Sequence, residues 1–362
     1  MDFGLSEDQV LFKDALKRFL AERCPTTRVR AIMESESGHD GDLWKSLAEL
    51  GVTGVTVPEA YGGLGREMLD LCLVAEELGY AATPGPFLGT AMAAIAIAEC
   101  GDAAQREKWL PRLASGEAVG TIAIGEEGAE WDPERLKAKV EGGRLNGTKP
   151  LVPYVGVADV IVVAARGAGP CGLWLVERGA PGIDVRTLRV NDMTRRIDAV
   201  TFRDTPAAEL PNGGVALGRT IDAGLLLLAA DAFGGARRSL EMTCTYALQR
   251  EQFGQLIGSF QGVKHQLAEM ATDLEPSLSL LWYAAHAYDH IAAESARHAA
   301  MVKAHMTDLY DRITRGATEL HGGIGFTWEF DLHLWFRRAI FDRGFLGDAA
   351  FHRARAADLA GW

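Results

Sequence analysis

The sequence predicts an α+β protein of several domains: a helical N-terminal domain, a central antiparallel β-barrel or sandwich domain, and a C-terminal bundle of helices. Three observations support this order. Apolar residues recur at helical spacing in the first third of the chain, short runs broken by glycine and proline fill the middle, and helical spacing returns from about Val215. We place the domains at residues 1–118, 119–210 and 211–362.

The composition is that of an ordinary globular protein. The chain has 362 residues, of which 48% are apolar and 24% are charged, and its formal net charge is −12. This composition excludes intrinsic disorder, and the acidic balance argues against a nucleic-acid-binding protein, which would carry a basic face. A local arginine or a helix N-terminus can still bind an anionic ligand on an acidic protein.

The cysteines and the N-terminus predict a reducing, cytoplasmic location. The five cysteines are scattered and form no CxxC pair, so we interpret them as buried thiols and not as disulfides or metal ligands. The N-terminal residues lack the basic segment of a signal peptide, and the apolar runs are too short to cross a bilayer. We therefore expect no membrane span.

The N-terminal domain is predicted to consist of helices. Ser6 lies three residues before a glutamine, which is the spacing of a capping box, and Pro25 ends the helix that follows. A second helix is predicted over Asp42–Leu50. A long alanine-rich helical stretch then covers Met68–Ala114, with a break near Thr83–Pro86.

The central domain is predicted to be a small antiparallel β structure. Short β-prone runs follow each other at close spacing and are separated by turn residues, as in a barrel or sandwich. The runs are Thr121–Ile124, Lys137–Val140, Val160–Ala164, Leu173–Val176, Val185–Leu188 and Ala199–Phe202.

The C-terminal domain is predicted to be an antiparallel helix bundle. Long periodic segments with few helix breakers cover Arg219–Glu251, Ser259–Glu294 and Ser295–Leu320. Helices of this length need partners along their apolar faces, and a bundle supplies them.

Four motifs occur in a fixed order along the chain. They lie at Val57–Gly65, Glu76–Gly79, Arg250–His265 and His321–Glu329. The third begins Arg-Glu-Gln-Phe-Gly, and the fourth contains Gly-Gly-Ile-Gly. Together these motifs resemble the acyl-CoA dehydrogenase family, and the resemblance covers almost the whole chain.

The resemblance implies a C-terminal four-helix bundle, FAD as the cofactor, an acyl-CoA thioester as the substrate and an oligomeric protein. The reaction it implies is α,β-desaturation, in which a carboxylate removes the α-proton while the β-hydride passes to the flavin. This chemistry needs a base placed against a weakly acidic C–H bond. The flavin supplies the redox step, and the protein supplies the geometry.

The resemblance also implies a set of cofactor-binding residues. Arg250 ends a long helix, and a planar guanidinium can bind a pyrophosphate with two hydrogen bonds. The alternative is an exposed arginine that only suits the helix dipole; beside the glycine-rich motif we favour the cofactor clamp, which in the family reaches the FAD of a neighbouring subunit. The implied residues are Arg250, Gln252, Phe253, Gln261, Glu319, Gly322, Gly323 and Gly325. Glu319 stands where the family usually has glutamine, so a carboxylate near the pyrophosphate would weaken or alter the clamp.

The two positions that usually carry the catalytic glutamate hold other residues. Counting from the glycine-rich motif places Leu346 in one position, and counting along the long helix places Gly224 in the other. Asp348 and Asp231 are weak candidates for a relocated base. Asp231 lies on the same helix face as Gly224 but roughly 10 Å further along the axis. Asp348 is equally well interpreted as a helix cap.

The central domain departs from the family at the segments that touch the flavin ring. The first reads Ile-Gly-Glu-Glu-Gly at Ile124–Gly128, and the second has Leu151 in place of tryptophan and Pro153 in place of a hydroxyl residue. A proline offers the flavin neither a backbone N–H nor a hydroxyl.

These departures leave three hypotheses. The first is a non-catalytic subunit of a heteromeric acyl-CoA dehydrogenase, which clamps FAD held by a related subunit; some bacterial members that act on steroid side chains resemble this scheme. The second is a self-sufficient dehydrogenase or oxidase with a relocated aspartate base. The third is a structural homologue without a cofactor. No histidine or cysteine spacing indicates a metal site.

Overall fold

The computed structural model describes residues 4–128 and 130–362, and the chain divides into two compact units. The first unit contains residues 4–29, 72–83 and 225–362, and the second contains residues 30–71 and 84–224 apart from residue 129. Each compact unit therefore combines segments that are distant in the sequence. The division into three consecutive domains stays a prediction.

The N-terminal part is helical, as predicted. Ser6 caps the first helix, and both hydrogen bonds of its capping box are present. Pro25 follows the end of this helix, but a second helix that we did not predict starts directly after it, because proline is tolerated at a helix N-terminus. The helices are α1 (Glu7–Arg23), α2 (Thr26–Glu34), α3 (Gly41–Glu49), α4 (Met68–Tyr80), α5 (Phe87–Cys100) and α6 (Ala103–Ala114).

The central part forms an eight-stranded sheet in the order β6-β7-β3-β2-β4-β5-β8, with β1 beside β4. Each predicted run overlaps a strand. The strands are β1 (Gly120–Ala123), β2 (Lys139–Glu141), β3 (Arg144–Pro153), β4 (Val160–Arg166), β5 (Cys171–Glu177), β6 (Ile183–Thr187), β7 (Ile197–Pro206) and β8 (Ala208–Glu209).

The prediction of a purely antiparallel sheet was wrong, because the sheet is mixed. Strand β1 runs parallel to β4, with Gly120 opposite Val160, and β2 meets the end of β4 in parallel through Lys139 and Arg166. A tight turn enforces antiparallel pairing only between consecutive strands. Strands β1 and β4 are separated by β2 and β3, so no hairpin dictates their direction.

Strand β3 was not predicted, although it is one of the two longest in the sheet. It contains two prolines and an Asn-Gly pair, which indicate turns in isolation. The strand accommodates them through register shifts against β7 between Leu145 and Gly147 and between Lys149 and Val152. The side chains of Leu145 and Val152 are fully buried in the sheet core.

The C-terminal part forms the predicted helical bundle. Helix α10 packs against α9, α11 and α12, and the predicted segment Ser259–Glu294 divides into two helices at Pro276. The elements are α7 (Gly213–Ala247), β9 (Glu251–Gln252), β10 (Gln255–Leu256), α8 (Gln261–Leu274), α9 (Ser277–His290), α10 (Ala292–His321), α11 (Leu332–Gly344) and α12 (Ala349–Leu359). Among the described residues only α7 is long and apolar enough to cross a membrane, and 72% of its most apolar window is buried inside the protein, as in a core helix.

Candidate functional site

A tight hairpin carries the predicted clamp residues that follow α7. Strands β9 and β10 pair antiparallel, and the two residues between them, Phe253 and Gly254, have φ angles of +55° and +77°. Glycine adopts this left-handed backbone freely, whereas phenylalanine does not. The Phe253 ring is nevertheless 94% exposed, and its one aromatic contact within the described part of the chain is an edge-to-face contact with Phe260, at 6.2 Å between ring centres. The hairpin thus presents an aromatic ring at its tip.

The side chain of Arg250 is exposed at the base of this hairpin. Its backbone N–H donates to Tyr246 and its carbonyl accepts from Ile257, which closes the hairpin onto α7. Its guanidinium makes no hydrogen bond or ion pair with residues 4–128 or 130–362, so its donors are available to a ligand. Gln252 and Gln261 are also exposed, and the Gln252 amide donates to the carbonyl of Glu251.

An aromatic stack holds the two clamp segments next to each other. The ring of Tyr246, four residues before Arg250, stacks on His321 with 4.4 Å between centres. His321 directly precedes Gly322, so the stack brings the hairpin and the glycine-rich turn together. The Nδ1–H of His321 donates to Ala317 at 2.7 Å, and burial lowers the pKa of His321, which keeps the imidazole neutral. No spacing in the sequence indicates this pair.

The glycine-rich turn has an open part and a packed part. Gly322 has a φ of +64°, and a Cβ atom at Gly322 or Gly323 would meet open space. A Cβ atom at Gly325 would lie 2.7 Å from the carbonyl oxygen of Thr318. The first two glycines therefore leave the backbone accessible, and the third allows the turn to pack. Glu319 is exposed on the last turn of α10.

The same two segments expose a large amount of apolar surface. Monomeric proteins rarely leave several large apolar side chains exposed close together, and such patches mark interaction sites. The exposed side chains in these segments are Leu248, Phe253, Leu256, Ile324, Phe326 and Trp328.

Each aspartate that we considered as a relocated base has a partner within the protein. The Asp348 carboxylate caps α12 by accepting from the Phe351 N–H at 2.8 Å. The buried Asp231 carboxylate accepts two hydrogen bonds from the guanidinium of Arg338. The two positions that usually carry glutamate hold Leu346, which is 2% exposed, and Gly224, which is buried in α7.

The segments that the family resemblance predicts to lie at the flavin ring are engaged in internal interactions. Pro153 is buried, and its carbonyl accepts from the Thr121 hydroxyl. The fully buried Lys149 donates to Glu126 at 2.9 Å and to the carbonyl of Ile124 at 2.8 Å.

The carboxylate of Glu126 is therefore engaged by partners inside the protein. It also accepts the backbone N–H groups of Lys137 and Ala138 at 2.7 and 2.9 Å. Burial acts to raise the pKa of Glu126, but these hydrogen bonds and the Lys149 ammonium outweigh it and leave the pKa below its usual value. In the sequence, Lys149 lies between an Asn-Gly pair and a proline, and this position was the available signal. The signal did not indicate that Glu126 is its partner.

No group of three metal-binding side chains occurs in the described ranges.

Comparison with known proteins identifies the family. Residues 6–117 match the acyl-CoA dehydrogenase N-terminal domain, and residues 212–360 match the acyl-CoA dehydrogenase C-terminal domain. The acyl-CoA dehydrogenase IpdE2 of Mycolicibacterium smegmatis is 32% identical over 92% of this chain and 93% of its own length. The chain belongs to the acyl-CoA dehydrogenase family. Acyl-CoA dehydrogenases are flavoprotein oxidoreductases that bind FAD and act on a CH–CH bond.

Two solved structures that resemble this chain along its whole length have the same fold. The Tcur3481-Tcur3483 steroid ACAD G363A variant is 33% identical, with a TM-score of 0.92 and 98% of each chain covered. A chain of the ChsE4-ChsE5 complex from Mycobacterium tuberculosis is 27% identical, with a TM-score of 0.89 over 100% of this chain and 99% of that chain. The names of both structures pair two components, and the second is named as a complex.

Proposed function

We propose that this chain is the FAD-clamping, non-catalytic subunit of a heteromeric acyl-CoA dehydrogenase. The observation that carries the proposal is the exposed Phe253, held in an unfavourable left-handed backbone beside an open glycine-rich turn. Such strain persists in proteins where a functional contact requires it. The Phe253 ring has few contacts with its own chain, so we attribute the functional contact to another molecule.

The exposed residues fit the outer half of an FAD molecule bound by a neighbouring subunit. The guanidinium of Arg250 is available for a pyrophosphate, and Gly322 and Gly323 allow a close backbone approach. Phe253 supplies an apolar face. These groups bind and orient the cofactor, whose isoalloxazine supplies the redox chemistry when bound.

The residues do not fit a flavin ring held by this chain itself. Pro153 has no N–H to donate, and its carbonyl is already used by Thr121. The position of the base holds the buried Leu346. In this proposal the partner subunit therefore holds the flavin ring and supplies the catalytic base.

The alternative of a relocated base receives less support. A base must be free to accept a proton from the substrate. Asp231 is held by the buried guanidinium of Arg338, and Asp348 is engaged as a helix cap.

The relatives indicate the class of partner and substrate. The names of the steroid ACAD and the ChsE4-ChsE5 complex each pair two components. We propose by analogy that the partner is a related acyl-CoA dehydrogenase subunit and that the substrate is an acyl-CoA thioester, with a steroid side chain as the first acyl group to test.

The experiment compares the chain alone with the chain co-expressed with a related subunit. We expect a colourless chain alone, and a yellow complex that oxidises acyl-CoA after co-expression. A yellow chain that is active alone would support the relocated base instead, and a chain that stays colourless in both cases would support a structural homologue. Arg250→Ala should reduce FAD retention in the complex, whereas Arg186→Ala, another exposed arginine, should not.

A further inference from the structure

The loop between α11 and α12 has an unusual backbone. It spans Phe345–Asp348, and Leu346 and Gly347 have φ angles of +61° and +103°. Leu346 is 2% exposed, so a buried leucine holds a left-handed conformation that branched and bulky side chains avoid. A backbone of this kind persists only when surrounding groups determine it.

Two buried side chains donate hydrogen bonds to this loop. The Lys303 ammonium, on α10, donates to the carbonyl of Gly347 at 3.0 Å and to that of Arg343 at 3.3 Å. The imidazole of His352, on α12, lies with Nε2 2.8 Å from the carbonyl oxygen of Leu346. A carbonyl oxygen only accepts, so Nε2 carries the hydrogen. Both side chains have no exposed surface.

Both groups can donate hydrogen bonds near neutral pH. Burial lowers the pKa of Lys303 to about 8, against the opposing effect of Asp342 on α11, Asp348 at the start of α12 and Asp308 on α10. Burial and the Lys303 charge lower the pKa of His352 to about 3. At pH 7 the lysine is therefore charged and the histidine neutral. Asp308 is shared with Arg343 and Arg353 at the surface.

We propose that Lys303 and His352 are positioning residues that hold residue 346 in one left-handed backbone conformation. Packing alone does not account for their presence, because burying an amine and an imidazole is costly unless both are hydrogen-bonded. Without them the carbonyl groups of Leu346 and Gly347 would be buried without partners. The proposal deepens the proposed function, on which it rests in taking residue 346 as the position that usually carries the base: here a leucine fills that position, in a backbone held by the two buried donors.

Hydrogen–deuterium exchange of the full-length chain tests the proposal. Lys303→Met and His352→Leu should accelerate exchange of the 344–349 amides at least tenfold. His352→Gln keeps an N–H donor and should restore slow exchange. Thr314→Val is the matched control, because Thr314 is equally buried on α10 and its hydroxyl, among the described residues, bonds to carbonyls of that same helix. Acceleration spread evenly over α10, α11 and α12 in the Lys303 and His352 variants would overturn the proposal.

Thermal unfolding of variants at position 346 tests which backbone conformation this residue adopts. Glycine tolerates a positive φ and alanine does not, so Leu346→Gly should have a higher Tm than Leu346→Ala. This order should reverse when Lys303→Met or His352→Leu is added, because the released loop then relaxes to a negative φ. An unchanged order would contradict the proposal. Neither measurement uses FAD or a partner, so failure here leaves the clamp standing, and a colourless co-expressed complex would leave this result standing.

Discussion

The carboxylate of Asp231 and the guanidinium of Arg338 form a two-point ion pair, with Oδ1 2.8 Å from Nε and Oδ2 2.6 Å from Nη2. Both side chains are buried, and Arg338 also donates to the carbonyl of Thr83 at the end of the α4 segment. The pair thus joins α7, α11 and the residues after α4 within the first unit. It also explains why Asp231, although it lies on the same face of α7 as Gly224, is not free to act as a base.

Breaking this pair from one side should destabilise the chain strongly. Arg338→Met leaves a buried carboxylate without its counter-charge, which costs about 3–5 kcal/mol of the free energy of unfolding. Replacing both residues, as Asp231→Leu with Arg338→Met, should recover much of that loss because no charge remains buried. Urea unfolding measures both. A double variant no more stable than Arg338→Met would show that the ion pair is not the source of the loss.

Phe253→Asn should separate stability from function. Asparagine tolerates the left-handed backbone of the turn better than phenylalanine does, so the isolated chain should gain about 1 kcal/mol of unfolding free energy. The same variant removes the exposed ring and should lower FAD retention in the co-expressed complex. Thermal unfolding and the ratio of flavin to protein absorbance measure the two effects. Unchanged FAD retention would remove the ring from the clamp.

The glycine-rich turn should respond differently at its two ends. Gly323→Ala places a Cβ in open space and should leave the Tm unchanged while weakening FAD retention. Gly325→Ala forces a Cβ to within 2.7 Å of the Thr318 carbonyl and should lower the Tm of the chain without any cofactor. A lower Tm for Gly323→Ala would show that its backbone is not open.

His352 should make the chain sensitive to acid. Its pKa in the folded chain is about 3, compared with an ordinary value of 6.5, so the unfolded chain binds the extra proton between these values. Stability therefore falls as the pH drops from 6.5 toward 3, with a slope of up to about 1.4 kcal/mol per pH unit from this group. His352→Gln removes this titration and should lose about 2 kcal/mol less than the wild type between pH 7 and pH 5 in urea unfolding. Parallel pH profiles of the two proteins would contradict the assignment.

Lys303 should act in the alkaline range with a slope of the same sign. Its folded pKa of about 8 lies below the ordinary 10.5, so the unfolded chain holds more protons between these values and stability rises with pH there. Lys303→Met should be less stable overall and should lack this rise between pH 8 and pH 10. The variant should also raise the pKa of His352, which NMR titration detects, because a neighbouring positive charge has been removed.

The long helices and most strands could be predicted because their apolar residues repeat at the period of the element that they form. The capping box at Ser6 depends on residues three apart, so the sequence showed it directly. Strand β3 could not be predicted in this way. Its prolines and its Asn-Gly pair indicate turns locally, and pairing with β7 through two register shifts outweighs that tendency.

The candidate site could likewise be predicted only in part from the sequence. The residues predicted to form the clamp, Arg250, Phe253 and the glycines after His321, stand in recognisable motifs, because each motif is a short run of adjacent residues. The stack of Tyr246 on His321 joins residues 75 positions apart, so spacing gave no sign of it. The same holds for the pairing of Lys149 with Glu126.

The sequence by itself determined the order of helical and β segments and the family, and it predicted the loss of a glutamate at two positions, because these depend on periodicity, on motifs and on counting along the chain. Only the tertiary structure decided that β1 runs parallel to β4, that Asp231 is neutralised by Arg338, and that Lys303 and His352 hold the loop at Leu346. These facts depend on which distant groups meet in the interior, where a buried charge or carbonyl must find a partner and local pattern does not say which.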